Sequence, residues 1–149
     1  MKKTLRVLVI ALALVGIMVV PALAGPPAGA GAGKAPLYDS SGFTCPGGAF
    51  ATEGPTFGFV IMNTNARGDL IVQVSLKGAT PDATYNIWVN QDPGTCPLSL
   101  PTAPDALTTN GRGNGNVHVK VLREAGADNF WVSADGGGPV LRSTAVTLD

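Results

Sequence analysis

The chain of 149 residues balances ten Lys and Arg against ten Asp and Glu, with 13% charged and 45% hydrophobic residues, two cysteines and one histidine. That balance excludes the clustered basic footprint that nucleic acid demands. One histidine, with two cysteines that lack Cys-x-x-Cys spacing, cannot complete a typical zinc or copper site, so no metal or cofactor is expected.

At the N-terminus, Met1 to Arg6 is basic, Val7 to Val20 is an apolar run of 14 residues, and Pro21-Ala22-Leu23-Ala24 ends in a small-residue cleavage site. These are the three parts of a secretory signal peptide, residues 1–24. The run falls short of the roughly 20 residues that span a bilayer as a helix. No later stretch is long enough either, so no membrane insertion is expected after cleavage, and the mature protein is expected to be secreted to the extracellular space, the cell surface or the periplasm. Losing Lys2, Lys3 and Arg6 leaves seven basic residues against ten acids, a net charge of −3 on the mature chain. In an oxidising compartment Cys45 and Cys96 have only each other to pair with. Closing a loop of about 50 residues stabilises a fold by on the order of 4 kcal/mol in the chain-entropy account.

Residues 25–36, Gly, Ala and Pro with one lysine, bury too little surface to offset their ordering entropy and read as a flexible tether. The domain is expected over residues 37–149. Its first strand is Phe57 to Asn63, with Phe57, Phe59 and Ile61 alternating against smaller or polar neighbours. After a turn at Asn65, Leu70, Val72, Val74 and Leu76 share the buried face of the next strand, while Gln73, Ser75 and Lys77 share the wet one. Tyr85, Ile87 and Val89 then face the core from a third.

The segment Leu76-x-Gly78-Ala79-x-Pro81-x-x-x-Tyr85, followed by alternating aliphatics, resembles the E–F corner of fibronectin type III and related immunoglobulin-like sandwiches. The resemblance spans Leu76 to Val89 and implies that Tyr85 is a corner tyrosine, its hydroxyl bonded to the backbone a few residues upstream. The chain departs from that family by continuing for some sixty residues more.

Gln91 to Ala106 is a long connection holding Cys96 and four prolines. Beyond it the chain repeats its own pattern. Asn110-x-Arg112-Gly113 matches Asn65-x-Arg67-Gly68 at an offset of 45, and Asn129-x-Trp131-Val132 matches Asn86-x-Trp88-Val89 at an offset of 43. Val117, Val119 and Val121, then Phe130, Val132 and Ala134, are expected inward. Asp135 to Pro139 reads as a flexible break and Val140 to Leu148 as the last strand. The expected fold is all-β: an antiparallel immunoglobulin-like β-sandwich of about seven strands with an internally duplicated strand pair.

Candidate chemistry is sparse. His118 lies mid-strand on the polar face with Asn116 and Lys120, and no nucleophile or paired-carboxylate motif accompanies it, so a non-enzymatic protein is expected. Asn63 to Asp69 places oxygen donors at alternate positions like a calcium loop, but Arg67 occupies a ligand place. Arg67-Gly68-Asp69 has the form of an adhesion tripeptide; its counterpart Arg112-Gly113-Asn114 lacks the Asp, so turn chemistry accounts for both. Pleat alternation puts Trp88 with Asn86 and Asn90, and Trp131 with Asn129 and Ser133, away from the aliphatic face. Exposed there, the tryptophans form amphipathic platforms for sugar rings or another protein; covered by a loop, they are scaffold. The binding candidates are therefore Trp88, Trp131, Asn86 and Asn129. The expected role is a structural or interaction module at the cell surface or in an extracellular assembly, with a protein or glycan partner and with oligomerisation open to it, and carbohydrate binding through Trp88 and Trp131 is the alternative.

Overall fold

Short runs with one apolar face can bury that face only by pairing and curling around a shared core. The computed structural model describes residues 31–41, 53–92 and 105–148, and shows that solution. The expected signal peptide and both Cys45 and Cys96 lie outside the described residues. Nine strands form one antiparallel sheet: β1 (Gly33–Asp39), β2 (Thr56–Thr64), β3 (Leu70–Leu76), β4 (Thr84–Asp92), β5 (Asp105–Thr108), β6 (Gly115–Val121), β7 (Asn129–Asp135), β8 (Leu141–Ser143) and β9 (Val146–Thr147). No helix occurs among the described residues. The order β5-β4-β7-β8-β1-β2-β3-β6, with β9 also on β7, brings the sheet nearly round to a closed barrel. Its opposing walls enclose one core that includes Leu37, Met62, Val74, Tyr85, Phe130 and Leu141, all fully buried.

The inward residues expected on β3, β4 and β7 are buried, as is Val119 of β6; Val117 and Val121 are half-buried against the core. Three expectations need correction. β1 begins at Gly33, so Gly33 to Pro36 are not tether but sheet, with Ala35 in the core. A Cβ on Gly33 would collide with Val146, so the glycine-rich composition that suggested a tether here permits close packing instead. In β2 the alternation breaks: Pro36 pairs with Phe59 and Tyr38 with Thr56, setting Phe57 and Gly58 opposite a single residue of β1. This bulge, with Gly58 at φ 110, leaves Phe57 against the core but turns Phe59 and Ile61 to the outer face, and Val60 and Met62 fill the interior. The last strand is divided, β8 and β9 both lying on β7, and β1 and β5 add to the expected strands, so the described residues form nine strands rather than about seven.

Tyr85 forms the bond the corner resemblance implies. Its hydroxyl accepts from the Thr80 amide at 3.3 Å and donates to Thr80 Oγ1 at 3.2 Å. The glycine run read as a break packs on it, because a Cβ at Gly137 would stand 2.6 Å from the ring.

The two Asn-x-Arg-Gly turns have one geometry. Asn65 Oδ1 accepts the amides of Arg67 and Asp69, as Asn110 Oδ1 accepts those of Arg112 and Asn114. Gly68 and Gly113 have φ of 82 and 71 and donate to the Asn65 and Asn110 carbonyls. Beyond the turns, each matching strand pairs with its own counterpart. β3 lies on β6 with Gln73 opposite His118, residues 45 apart, and β4 lies on β7 with Val89 opposite Val132, residues 43 apart. Each register is centred at its own pair, β3 with β6 at Gln73 and His118 and β4 with β7 at Val89 and Val132. β1 and β8 lie between β2 and β7 on one side; on the other, β5 pairs with β4 and leads through the Asn110 turn into β6, β5 and β6 being the ends of the sheet order.

Candidate functional site: the outer face of β4 and β7

Around the Val89 and Val132 centre, the outer face is built from even positions of β4 and odd positions of β7. Trp88 pairs with Ser133 and Trp131 with Asn90, which makes the tryptophans diagonal neighbours on adjacent strands, about 7 Å apart at Cα. Both are half-buried. Trp88 donates its indole N–H to Asp135 Oδ2 at 3.1 Å, and Asn86 donates to Asp135 Oδ1 at 3.1 Å. One carboxylate therefore sets the orientation of two candidate residues. Asn129, at the opposite end of the face, donates to Asp128 at 2.8 Å and accepts from Thr147 at 2.8 Å. Asn90 is fully buried and donates to Ser133 Oγ at 3.2 Å.

The row through Trp88 and Ser133 continues across β8 and β1 to Arg142 and Tyr38. Arg142 is 5% exposed, and burial lowers the pKa of its guanidinium. The face thus mixes two ring systems, amides and a buried cation. It offers stacking and hydrogen bonding, with the Ser133 hydroxyl already accepting from Asn90.

Two residues of this face escaped the sequence reading, although its own repeat reaches them. Asp92 and Asp135 occupy matching places 43 apart, extending the motif to Asn86-x-Trp88-x-x-x-Asp92 and Asn129-x-Trp131-x-x-x-Asp135. The four binding candidates Trp88, Trp131, Asn86 and Asn129 all fall on this face, where Asn86 and Trp88 share the Asp135 carboxylate.

The other motifs lie elsewhere. His118 is exposed on the outer face of β6 with Asn116 and Lys120. Among the described residues no group of three or more His, Cys, Asp or Glu stands close enough to hold a metal ion. The Asp of Arg67-Gly68-Asp69 is 8% exposed, ion-paired to Lys120 at 2.7 Å and hydrogen-bonded by Asn65 at 2.9 Å. The Lys120 contact, followed by that of Asn65, holds its carboxyl below the ordinary aspartate value. A depressed folded pKa contributes stability above the unfolded value, near pH 4, that is lost as pH falls through the folded one. Asp69→Asn is accordingly less stable than the parent at pH 6, and the gap narrows on acidification below about pH 4. Urea midpoints measured from pH 6 to pH 2 check this; a constant gap would refute it.

No protein-family model, no curated protein and no solved structure matches this chain.

Proposed function

We propose that the protein is a secreted, non-enzymatic interaction module of the cell surface or an extracellular assembly, and that it engages its partner through the outer face of β4 and β7. The observation that carries this reading is the two-fold arrangement of that face: Trp88 with Trp131, Asn86 with Asn129 and Asp92 with Asp135, each pair related about the Val89 and Val132 centre. Matching aromatic, amide and acid positions on the outside of a sheet serve recognition better than core packing, since the core residues of the same strands face the other way. The Tyr85 corner supports kinship with immunoglobulin-like sandwiches. The equal turns and self-centred registers support an internal duplication of the strand pair.

Truncation of a central interface tryptophan typically costs about 2 kcal/mol, or about 30-fold in Kd. Labelled protein is expected to bind the surface of the producing cells, and Trp88→Ala and Trp131→Ala each to weaken this about 30-fold, with Trp→Phe recovering part. Binding indifferent to both changes in folded variants would remove the reading. A second reading, carbohydrate recognition, is favoured by the Asp135 bond that fixes the Trp88 ring beside Asn86. A glycan array separates the two: retention of a defined sugar, lost in Trp88→Ala, selects it.

A further inference from the structure

The interaction reading leaves open what the partner is, and the distribution of charge answers with a second copy of this chain. β4, β5 and β7 contain Asp92, Asp105 and Asp135 and no Lys or Arg, and the one cation in their rows, Arg142 of β8, is buried rather than presented at the surface. Asp128, just before β7, adds a further acid at the Asp92 end of the face. On the wall formed by β1, β2, β3 and β6 the balance is reversed. Lys34 stands in the row that runs through Ile61 and Gln73 to His118, Lys77 follows β3, and Lys120 lies on β6. Of the acids there, Asp69 is paired with Lys120, Asp39 lies at the β8 end of β1 and Glu53 precedes β2, which leaves Lys34 and Lys77 as the cations this face offers a partner.

Both faces have an apolar middle inside a charged edge. On the basic wall the bulge at Gly58 turns Phe59 and Ile61 outward, where they lie half-buried near Ile71, and Leu122 is 76% exposed just beyond β6. The Lys34 ammonium sits 4.0 Å from the centre of the Phe59 ring. On the acidic wall the middle is the half-buried pair Trp88 and Trp131, packed about the fully buried Asn90. An apolar centre with a polar rim is the anatomy of a protein interface.

We propose that copies of the chain associate head to tail, the basic outer face of β2, β3 and β6 on one copy meeting the acidic outer face of β4 and β7 on the next. The signs of charge select this mode. Like faces meeting about a two-fold axis would set Asp92 and Asp135 against their own copies, or Lys34 and Lys77 against theirs, whereas unlike faces bring each carboxylate toward a cation. The two faces belong to different walls of the sheet, so a contact of this kind leaves a basic face free on one copy and an acidic face free on the other. Heterologous contacts of that geometry grow into chains, or into rings where the rotation closes. The proposal rests on the interaction-module reading and names its partner.

Sedimentation velocity of the purified protein tests it. At about 0.01 M salt, where the Debye length is about 30 Å, the weight-average sedimentation coefficient is expected to rise with protein concentration; at about 1 M salt, where it is about 3 Å, association is expected to weaken at least about tenfold. Lys34→Glu with Lys77→Glu makes both faces acidic, and Asp92→Lys with Asp128→Lys cancels the acidic face, setting two lysines against the remaining Asp105 and Asp135. Each doubly substituted protein is expected to remain monomeric alone, and an equimolar mixture to associate again, because each then supplies the face the other lacks. All four positions are exposed, so folding is not at stake. A wild-type protein that stays monomeric at low salt, or a mixture that stays monomeric, overturns the proposal. Cell-surface binding that still depends on Trp88 and Trp131 in such a monomer would leave the interaction-module reading standing while removing self-association.

Discussion

Gly113→Ala destabilises the fold by about 3 kcal/mol or more, whereas Gly68→Ala, at the matching place in the same kind of turn, costs about 1–2 kcal/mol. Both glycines occupy the left-handed region, and both substitutions therefore carry the strain of a Cβ at positive φ. Their surroundings differ. A Cβ on Gly68 has nothing within 4 Å, but one on Gly113 would lie 2.0 Å from the carbonyl oxygen of Ala79. That oxygen cannot swing aside like a flexible side chain, because its segment is pinned to the turn. The Ala79 amide donates to the Gly113 carbonyl at 3.1 Å, Asp82 donates to the Asn110 carbonyl at 3.2 Å, and Gly78 donates to Asn114 Oδ1 at 3.3 Å. The strain is thus common to the two variants, while the collision and the displaced contacts belong to Gly113 alone. Urea midpoints of the two variants measure the difference directly; equal losses would mean that the second turn is not docked as described.

That contrast marks where the sequence was legible. A repeated Asn-x-Arg-Gly specifies its turn from within, since the Asn side chain and the glycine satisfy the local backbone without outside help. The strand parities of β3, β4 and β7 were legible for the same reason: alternating aliphatics leave one face to bury. The Tyr85 bond was legible because it closes over five residues. What a turn docks on is a long-range fact, and Gly113 reads no differently from Gly68 in the chain. Nor does the bulge at Gly58 declare itself, because its cause is the approach of Ser75, whose carbonyl oxygen would sit 1.9 Å from a Cβ there. β1 was hidden by composition: a run of Gly, Ala and Pro promises little burial until a partner such as β2 supplies the hydrogen bonds. On the candidate face, the tryptophans and asparagines stood out by residue type. Asp92 and Asp135 did not, since single acids near loops are ordinary. Their place became visible only when the register put both around one centre.

The symmetry also exposes the position where it fails. Gln91 and Ala134 occupy matching places on β4 and β7, both fully buried and both facing inward. Beside Ala134, β8 continues the sheet. β4, by contrast, pairs with β5 only as far as Ile87, and among the described residues no strand adjoins its remaining edge on that side. Gln91 spans the gap with its amide, donating to the Leu122 carbonyl at 2.8 Å and accepting from the Glu124 amide at 2.9 Å. Gln91→Glu keeps the shape and one of these bonds, but a carboxylate cannot donate to Leu122 and has to shed its hydration. At pH 7 the loss is expected to be about 3 kcal/mol, in keeping with a carboxyl whose folded pKa is driven about two units up by burial and by a facing carbonyl. The sign follows from linkage. A raised folded pKa means that the native state holds the proton more tightly than the unfolded chain, so the variant's stability falls as pH rises through the interval between the two values. Below about pH 4 the carboxyl is protonated in both states and can donate to Leu122 again, so the deficit relative to the parent largely disappears. Gln91→Leu, which has no titratable group, is expected to keep its smaller deficit of about 1–3 kcal/mol at every pH. Denaturation of the three proteins from pH 7 to pH 3, together with amide exchange at Glu124, measures both effects. A Gln91→Glu deficit that does not shrink on acidification would show that the side chain does not close the barrel there.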